Sequence, residues 1–469
     1  MALRLLARRL GSTGGAFIGF SQKPVQDKSN RLYPSMPHST FRRTSGSHAV
    51  SLVVLRVVTA TFLSLIHSYA LGVEPDERLS EEIQLLKEET VITPLRNEQP
   101  ISRSPSNVYV LTDDDIRHSG ATDLPTLLRR IPGMEVMQMN GADFNVSARG
   151  NNQILANKLL VMVDGRSIYN DFQGFVFWKG IPVTLPEIKR IEVVKGPTSA
   201  VYGFNAFDGV VHIITKSPEE MKGNTVQVGA GEVGTLTSSA IHAGSYRKLG
   251  YRLSAGWDQN QQWDHRDRLA FRSYKFNLQT EYALAGQSRV LFSGGLVDMN
   301  RFEGPFVGNV LLSSDVHLPY ASASYERPNF FVRSFWSGFY ATSEALPHPL
   351  LGNLLRFTDP QGSDLVIFRG DTYNVEAQHT VELGKTNRLI YGANYRYNGV
   401  SCNCTAGFQE ENRLGFYVHD EWRLAPALTM VAGFRYDLHT EIHNTFSPRL
   451  GPARRMGEWD GVVRSRFTM

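Results

Sequence analysis

The sequence contains few cysteines, and their scarcity excludes most kinds of metal site. Among 469 residues only Cys402 and Cys404 occur, separated by one asparagine between two predicted strands. A structural zinc site needs about four ligands, and no histidine or further cysteine lies near this pair. We therefore predict no metal site and no cofactor. The pair itself forms either a strained local disulfide or two free loop thiols.

An excess of charge of one sign is also missing. Lys and Arg number 49 and Asp and Glu number 45, which leaves a formal net charge of +4. No basic face emerges, so nucleic acid is not an expected partner. Catalytic motifs are missing too, because the 13 histidines form no His-Glu-x-x-His pattern and neither a Gly-x-Ser-x-Gly elbow nor a phosphate loop occurs. We expect a protein that is not an enzyme.

Long apolar runs are almost absent. One such run, residues 51–66, is interrupted by Arg56 and is shorter than the roughly 20 residues that span a bilayer as a helix. Basic residues precede it and a Ser-Tyr-Ala triplet ending at Ala70 follows it, which is typical of a secretory signal. A buried core helix is the alternative. The preceding residues superficially resemble an organellar transit peptide, but a translation start at Met36 explains them more simply. We interpret 1–70 as an N-terminal extension and signal peptide.

A polar segment without strand alternation, 71–106, follows the signal. Pro94, Pro100 and Pro105 interrupt its second half, so it is predicted to be an extended tether. Within it, Glu89–Thr93 alternates polar and β-branched residues just before Pro94. Such a strand has unpaired edges that can add to the sheet of a partner protein. The alternative is an ordinary disordered linker.

The residues from 107 to 220 have the texture of a compact α+β domain. Thr112 is placed to N-cap a helix over Asp113–Ser119, whose first turn is acidic. A second helix begins near Asp123 and repeats leucines at helical spacing until a Pro-Gly pair ends it. Short apolar runs punctuated by glycines predict strands at residues 108–111, 134–137, 145–148, 158–163, 188–194 and 209–215.

From 221 to 449 the pattern changes to long alternation of apolar and polar residues. Tyr274–Leu284 and Leu389–Tyr397 are two examples, and the chain holds 18 Tyr and 26 Phe. Strands of about ten residues with one apolar face, rich in aromatics, are typical of a transmembrane barrel. About eleven such strands are expected by this pattern. Long connecting loops are predicted at Thr342–Gly370 and Val400–Arg413, and a soluble β-sandwich is the alternative.

Several segments resemble the TonB-dependent outer-membrane receptors in order and spacing. The run IKRIEVVKGPTSAVYGFNAFDGVVHIITK is the most diagnostic, although the family more often has Arg at Lys195 and Gly at Asp208. The segment EETVITPLR at 88–96 resembles the TonB box. Further matching segments lie in the predicted plug and in one predicted barrel hairpin, at residues 110–136, 144–150, 159–170 and 415–439. The resemblance covers nearly everything from 88 to about 449.

The resemblance implies an α+β plug domain at 107–220, followed by a transmembrane antiparallel β-barrel at 221–449. It implies active uptake of a scarce ligand across the lipid of a Gram-negative outer membrane, energised by TonB and its inner-membrane complex. The implied ligand is a small-molecule metal chelate such as a ferric siderophore or cobalamin. A non-transporting truncated remnant and a plug-only periplasmic binding or sensor module are the alternatives. The implied TonB box comprises Glu89, Thr90, Val91, Ile92 and Thr93.

Two sets of plug residues are singled out. The first set lies in two predicted loops and faces either the ligand or the barrel wall: Met139, Asn140, Asp143, Tyr169, Asn170, Phe172, Phe175 and Trp178. The second set matches the family motifs and is interpreted as holding the plug together and in place: Arg149, Gly150, Asp164, Gly165, Arg166, Lys195, Gly196, Pro197, Tyr202, Gly203, Asn205 and Gly209. Of these, Arg149, Arg166 and Lys195 are expected to pair with acids on the barrel wall.

The alternating pattern ends beyond Pro448. Residues 450–469 show no strand pattern, so we interpret them as an aberrant tail. Plugged barrels of this kind have about 22 strands, roughly twice the number expected here. The sequence therefore predicts a barrel truncated at about eleven strands.

Overall fold

The computed structural model describes residues 90–454 apart from a set of gaps. The gaps lie at 94–98, 102–103, 105, 153–157, 172–173, 204, 262–269, 301, 307–308, 347–364, 385, 404–406 and 426–427. The predicted signal peptide at 1–70, most of the predicted tether, and Glu89 lie outside the described residues. In the part that is described, no helix combines the length and the apolar character needed to cross a membrane.

Two very short strands precede the first helix. Strands β1 (Thr90–Val91) and β2 (Gln99–Pro100) pair antiparallel, and β3 (Asn107–Thr112) leads into α1 (Asp113–Arg117). The Thr112 hydroxyl accepts a hydrogen bond from the backbone N–H of Asp115 at 3.1 Å, and the Asp115 carboxylate accepts one from the N–H of Thr112. This reciprocal capping box satisfies two donors at the start of the helix and confirms the predicted N-cap.

The second helix also begins where the sequence predicted. Helix α2 (Leu124–Leu128) is N-capped by Asp123, whose carboxylate accepts the N–H of Thr126 at 2.9 Å. Its leucines are buried in the core of the plug. Each helix begins after an N-cap residue in extended conformation, whose side chain accepts a backbone N–H of the first turn. This signal depends only on neighbouring residues.

A five-stranded mixed sheet forms the centre of the plug. Its further strands are β6 (Leu159–Val163), β7 (Arg166–Ser167), β8 (Ile188–Lys195) and β9 (Gly209–Thr215). The order is β3–β8–β9–β6–β7, in which β6 and β9 are parallel and the other neighbours antiparallel. Beside this sheet lie a hairpin, two 3-10 turns and a one-turn helix: β4 (Met134–Gln138), β5 (Phe144–Ala148), Trp178–Gly180, Leu185–Glu187 and α3 (Ser199–Tyr202).

The second part of the chain is one large antiparallel sheet. Its strands are β10 (Gly223–Gly231), β11 (Thr235–Tyr246), β12 (Leu249–Asn260), β13 (Phe271–Ala283), β14 (Arg289–Asn300), β15 (Phe302–Phe306), β16 (Asn309–Arg327), β17 (Phe330–Leu346), β18 (Leu365–Leu383), β19 (Asn387–Cys402), β20 (Phe408–Ala425), β21 (Leu428–His439) and β22 (Thr445–Arg454). Twelve of them pair in sequence order, and β15 pairs only with β16. The expected number was about eleven. Strands β10 and β22 are the ends of this path and do not pair with each other in the described part of the chain.

The two faces of the large sheet differ in polarity. On β13, Tyr274 is 52% exposed and Phe276 is 55% exposed, whereas the alternating Ser273 and Asn277 are buried. We call the face that carries the exposed apolar residues the outward face. The other, inward face is polar and packs against the plug, so that Asn277 reaches the plug carboxylate of Glu187 at 3.2 Å. The predicted alternation is confirmed, and the packing shows why one side of each strand is polar.

The predicted loops between the longest strands were too long. Strand β17 continues to Leu346 and β18 begins at Leu365, so both ends of the predicted loop Thr342–Gly370 are strand. The same holds at β19 and β20, which leave only 403–407 between them. Backbone pairing extends these strands beyond the segments in which apolar and polar residues alternate in the sequence. Hydrogen bonds between strands do not require that alternation. Cys402 ends β19 and is disulfide-bonded, while Cys404 lies outside the described residues.

The boundary predicted before an aberrant tail at 450 is wrong, because it falls inside β22. This strand pairs with β21 as far as Arg454. The strand contains two prolines, Pro448 and Pro452, which argue against a strand in the sequence. Proline lacks an N–H and is tolerated in strands at a sheet edge, where that donor is not needed. Residues 455–469 lie outside the described part, so the predicted tail and the predicted truncation remain predictions there.

Candidate functional site

The predicted partner-binding segment is docked on the plug. Val91 and Thr93 are fully buried, and β1 already pairs with β2 through Thr90 opposite Pro100 and Val91 opposite Gln99. The expectation of a strand with two free edges is therefore wrong for this state. Four of the five predicted box residues lie in the described part, and all four belong to the docked segment.

Glu192 on β8 anchors this segment. Its carboxylate accepts the backbone N–H groups of Ile92 at 3.0 Å and Thr93 at 2.8 Å, and the Thr93 hydroxyl at 2.6 Å. Arg190 donates to the same carboxylate at 2.7 Å. Burial alone would raise the pKa of Glu192. The electrostatic effects of His212 and Arg190, together with the hydrogen bonds from Thr93, outweigh burial and hold that pKa below its usual range.

His212 on β9 completes the docking site. Its Nε2 accepts the backbone N–H of Gly165 at 3.0 Å, and its Nδ1 lies 3.0 Å from the Thr93 hydroxyl. Because a backbone N–H can only donate, Nε2 is the acceptor and Nδ1 carries the proton. Nδ1 then donates to Thr93, whose own hydrogen points to Glu192. Burial lowers the pKa of His212 to about 4, which agrees with this neutral tautomer.

Sequence reasoning missed both Glu192 and His212. Each is a polar residue flanked by apolar residues within a strand, in the runs IEVV and VVHII. A buried strand position that carries a charge or an imidazole needs a partner, and that pattern was the available signal. Tyr202, which was predicted as structural, also holds the docked segment, because its hydroxyl donates to the carbonyl of Thr93 at 2.7 Å.

The predicted glycines stand where the backbone requires them. Gly150, Gly165, Gly196, Gly203 and Gly209 all have positive φ. At Gly165, φ is +79° and the Arg333 guanidinium lies directly over Cα, so any side chain would overlap it. Pro197 follows Gly196 at the end of β8, where Gly196 donates to the carbonyl of Asp208 at 2.8 Å. Positive φ at these glycines allows the sharp turns of the plug.

The expected pairing of plug bases with acids of the wall is wrong. Arg149 donates to the Lys195 carbonyl at 3.3 Å, Lys195 donates to the Pro132 carbonyl at 2.9 Å, and Arg166 donates to the Ser337 hydroxyl at 3.2 Å. Arg166 also stacks on Tyr320, with 3.8 Å from Cζ to the ring centroid. In the described part of the chain, these three side chains contact backbone carbonyls, a hydroxyl and an aromatic ring instead of wall carboxylates.

The charges that join plug and sheet have the opposite arrangement. The plug carboxylate of Asp171 receives Arg396 and Arg413 from the sheet, each at 2.9 Å, and the predicted plug residue Asn205 at 3.0 Å. Burial would raise the pKa of Asp171, but the two guanidinium groups outweigh it and lower that pKa. The arginine side chain is long enough to extend from the sheet to the plug. The aspartate side chain is short, so a buried aspartate is satisfied when donors extend to it.

The predicted ligand-facing residues divide into exposed and packed ones. Met139 is 60% exposed, whereas Trp178 is 5% exposed within the core of the plug, and the Phe175 ring packs at a tilt against Phe177 with 4.4 Å between the ring centroids. Packing is thus the role of Phe175 and Trp178. Asn140 is buried and caps its own loop by accepting the N–H groups of Ala142 and Asp143.

Two of the remaining predicted loop residues, Tyr169 and Asn170, lie beside the wall. Burial raises the pKa of Asp143 to about 6, and burial together with Asp171 raises the pKa of Tyr169. Asn170 forms a bridge with Phe175 at the tip of the second loop, whereas Phe172 lies outside the described residues. Tyr169, Asn170 and Asp171 line a cavity against the sheet.

Two cavities lie between the plug and strands β13–β19. The loop-side cavity, of about 100 Å³, lies beside the plug loop that carries Tyr169 and Asp171, and Phe177 and Phe339 also line it. The turn-side cavity, of about 690 Å³, lies near the tight turn at 328–329 and is lined by Ile92, His212 and Glu326 among others. Arg166 and Tyr320 line both.

Comparison with known proteins identifies two family models in this chain. The TonB-dependent Receptor Plug Domain model matches residues 100–210, and the TonB dependent receptor-like, beta-barrel model matches residues 223–459. Vitamin B12 transporter BtuB of Vibrio vulnificus (strain CMCP6) is 32% identical over 216 residues, which cover 45% of this chain and 34% of that protein. BtuB of Vibrio cholerae El Tor Inaba N16961 is 36% identical over 149 residues, or 31% of this chain and 24% of that protein. The chain thus matches about a third of the length of these curated relatives or less.

Solved structures share the fold. The siderophore receptor PirA from Pseudomonas aeruginosa superposes with a TM-score of 0.56 at 20% identity, covering 75% of this chain and 62% of that one. A ferric enterobactin receptor (PfeA) mutant from the same organism gives a TM-score of 0.57 at 17% identity, covering 74% and 59%. At these identities the likeness establishes the architecture of plug and sheet.

Proposed function

Since this chain belongs to the TonB-dependent receptor family, we propose that it takes up a scarce metal complex actively across the outer membrane of a Gram-negative bacterium. The observation that carries the proposal is the match of both family models in sequence order, over a plug that packs on the polar face of the large sheet. The cargo is a ferric siderophore, cobalamin or a related chelate, since the relatives include a vitamin B12 transporter and a siderophore receptor. The receptor acts by binding and moving its cargo, without catalysis.

The proposed energy source is TonB with its inner-membrane complex. Glu89–Thr93 is the proposed box, and Thr90–Thr93 is held by Glu192, His212 and Tyr202 in the docked state. Once released, this strand can add to a sheet of TonB through its backbone groups. The docked state then sets how often TonB finds the box available.

The large sheet is proposed to be part of a closed transmembrane barrel. Its outward face exposes apolar residues such as Tyr274 and Phe276, as a lipid-facing surface does. A sheet in lipid cannot leave edge N–H and C=O groups unpaired, since each would cost several kcal/mol. Strands β10 and β22 have such edges in the described part. We therefore propose that closure requires strands beyond these twelve.

The alternatives of a remnant or of a plug-only module are less well supported. The plug carboxylate of Asp171 is satisfied by two arginines of the sheet, and Glu187 by Arg252, Ser254 and Asn277 of the sheet. A plug working alone would lose these sheet partners of its two acids. This dependence favours a plug that functions inside its wall.

Uptake in cells tests the proposal. The protein is expressed in a Gram-negative strain that lacks its own siderophore and cobalamin receptors, and accumulation of labelled cyanocobalamin and of a panel of iron-55 siderophores is measured. We expect the protein in the outer-membrane fraction and accumulation of one ligand class only when TonB is present. Accumulation that is equal in a strain without TonB would contradict the proposal.

A further inference from the structure

The two cavities share one residue of the plug and one of the sheet. Arg166 and Tyr320 line both cavities, and the Arg166 guanidinium stacks on the Tyr320 ring, with 3.8 Å from Cζ to the ring centroid. The Arg166 side chain is buried, with 6% exposure. We call this pair the partition.

The partition is weakly held. Arg166 donates through Nη1 to Ser337 at 3.2 Å, whereas its Nη2 has no hydrogen-bond partner in the described part of the chain. Buried guanidinium nitrogens are normally bonded, so a buried donor left unpaired opposes this position of the side chain. Movement of Arg166 away from Tyr320 therefore breaks one stack and one hydrogen bond.

The turn that precedes Arg166 is held by contacts of Asp164 and Gly165 with β9 and with the sheet. Asp164 accepts the N–H of Thr215 at 2.9 Å and its hydroxyl at 2.8 Å, and the Arg333 guanidinium covers Gly165. The N–H of Asp164 donates to the Ile213 carbonyl at 3.0 Å, and the N–H of Gly165 donates to His212 Nε2 at 3.0 Å. The position of the His212 ring thus bears directly on the residue next to Arg166.

The same imidazole holds the proposed box. Its Nδ1–H donates to the Thr93 hydroxyl at 3.0 Å, and Thr93 donates to Glu192 at 2.6 Å. When Thr93 leaves, this buried ring loses its only box contact and faces an unpaired N–H, which favours a different ring position or an entering water. Either change disturbs the bond that His212 accepts from Gly165.

We propose that His212 is a positioning residue that couples release of the box to opening of the Arg166–Tyr320 partition. The proposal rests on the proposed function in one respect, namely that TonB is what pulls Thr90–Thr93. A pull on the box then joins the loop-side cavity to the turn-side cavity along strands β16 and β17. Because coupling between two sites is reciprocal, loosening the partition also loosens the box.

Amide hydrogen exchange tests this reciprocity without TonB or cargo. Exchange is followed by mass spectrometry on the full chain in outer-membrane vesicles, in peptides that contain Ile92 and Thr93 and in peptides that contain Gly165 and Arg166. In Tyr320→Leu, which removes the stacking ring, we expect exchange at Ile92 and Thr93 to speed up about fivefold or more. In Tyr320→Phe, which keeps the ring, we expect exchange as in the wild type.

Further variants separate coupling from general loosening. His212→Leu should speed exchange in both peptides, and adding Tyr320→Leu to it should speed the box no further, because the connection is already cut. His379→Leu is the control, since His379 bonds Tyr391 on the outward face, and it should change neither peptide. Peptides of β8 report that the plug remains folded.

Two results would overturn the proposal. One is Tyr320→Leu that speeds exchange at Arg166 while the box exchanges as in the wild type. The other is a double variant in which the effects of His212→Leu and Tyr320→Leu on the box simply add. Neither result depends on uptake, so failure of the coupling and failure of the proposed function are told apart by this assay and the uptake assay.

Discussion

Replacing Glu192 by Gln should make the box far more available to TonB. The carboxylate accepts three donors of the docked segment: the N–H groups of Ile92 and Thr93 and the Thr93 hydroxyl. Gln keeps the shape but removes the charge and turns one oxygen into a donor. Hydrogen bonds to a charged group contribute about 1.5–3 kcal/mol and those to a neutral group about 1. A loss of about 1 kcal/mol in each of the three bonds sums to about 3 kcal/mol.

This loss shifts the docking equilibrium about 100-fold toward the released box. If the docked state limits access, the apparent affinity for the TonB C-terminal domain should rise by about the same factor. Binding of purified TonB domain to the full chain, measured by biolayer interferometry, reports this directly. Glu220→Gln is the control, because Glu220 accepts from Ser217 and Lys189 away from the box. Equal affinity of Glu192→Gln and the wild type would refute the anchoring role of Glu192.

Three further predictions follow from the same contacts. Asp171→Ala strands two buried arginines and should destabilise the chain by about 3–5 kcal/mol, seen as a lower denaturant midpoint, whereas Asp114→Ala, at an exposed position, should leave it unchanged. Gly165→Ala should lower thermal stability because of its positive φ and its overlap with Arg333, and Arg333→Ala should restore only part of the loss. His212 has a pKa lowered from 6.5 to about 4 and is neutral when folded, so unfolding takes up a proton below pH 6.5. Stability should therefore fall between about pH 6.5 and 4 by up to about 3 kcal/mol, and His212→Gln should flatten this slope.

Features set by neighbouring residues could be predicted from the sequence. The caps at Thr112 and Asp123 depend on a residue three positions away, and the alternation on β13 depends on which face each residue takes. The motif glycines at positive φ follow from turn chemistry in the same way. These features need no knowledge of the rest of the chain.

Features set by distant residues could not be predicted. Thr93 meets Glu192 from 99 residues away, and Asp171 meets Arg413 from 242 residues away. The sequence shows that both the plug and the wall carry charges. Which of the two contributes the carboxylate to a pair depends on how they pack in three dimensions. For that reason the predicted pairing of Arg149, Arg166 and Lys195 with wall acids failed. The predicted ends of β17 and β22 were wrong because backbone pairing continues beyond the alternation of apolar and polar residues.

The most direct test of the central claim separates binding from uptake. Ile92→Pro removes a backbone donor from the box and prevents strand addition to TonB. In the full-length receptor, cells carrying this variant should bind labelled ligand at the surface as well as the wild type does, yet accumulate none. Asn97→Pro, a proline elsewhere in the same tether, is the control and should accumulate ligand normally. Undiminished accumulation by Ile92→Pro would show that Glu89–Thr93 is not the segment through which TonB drives transport.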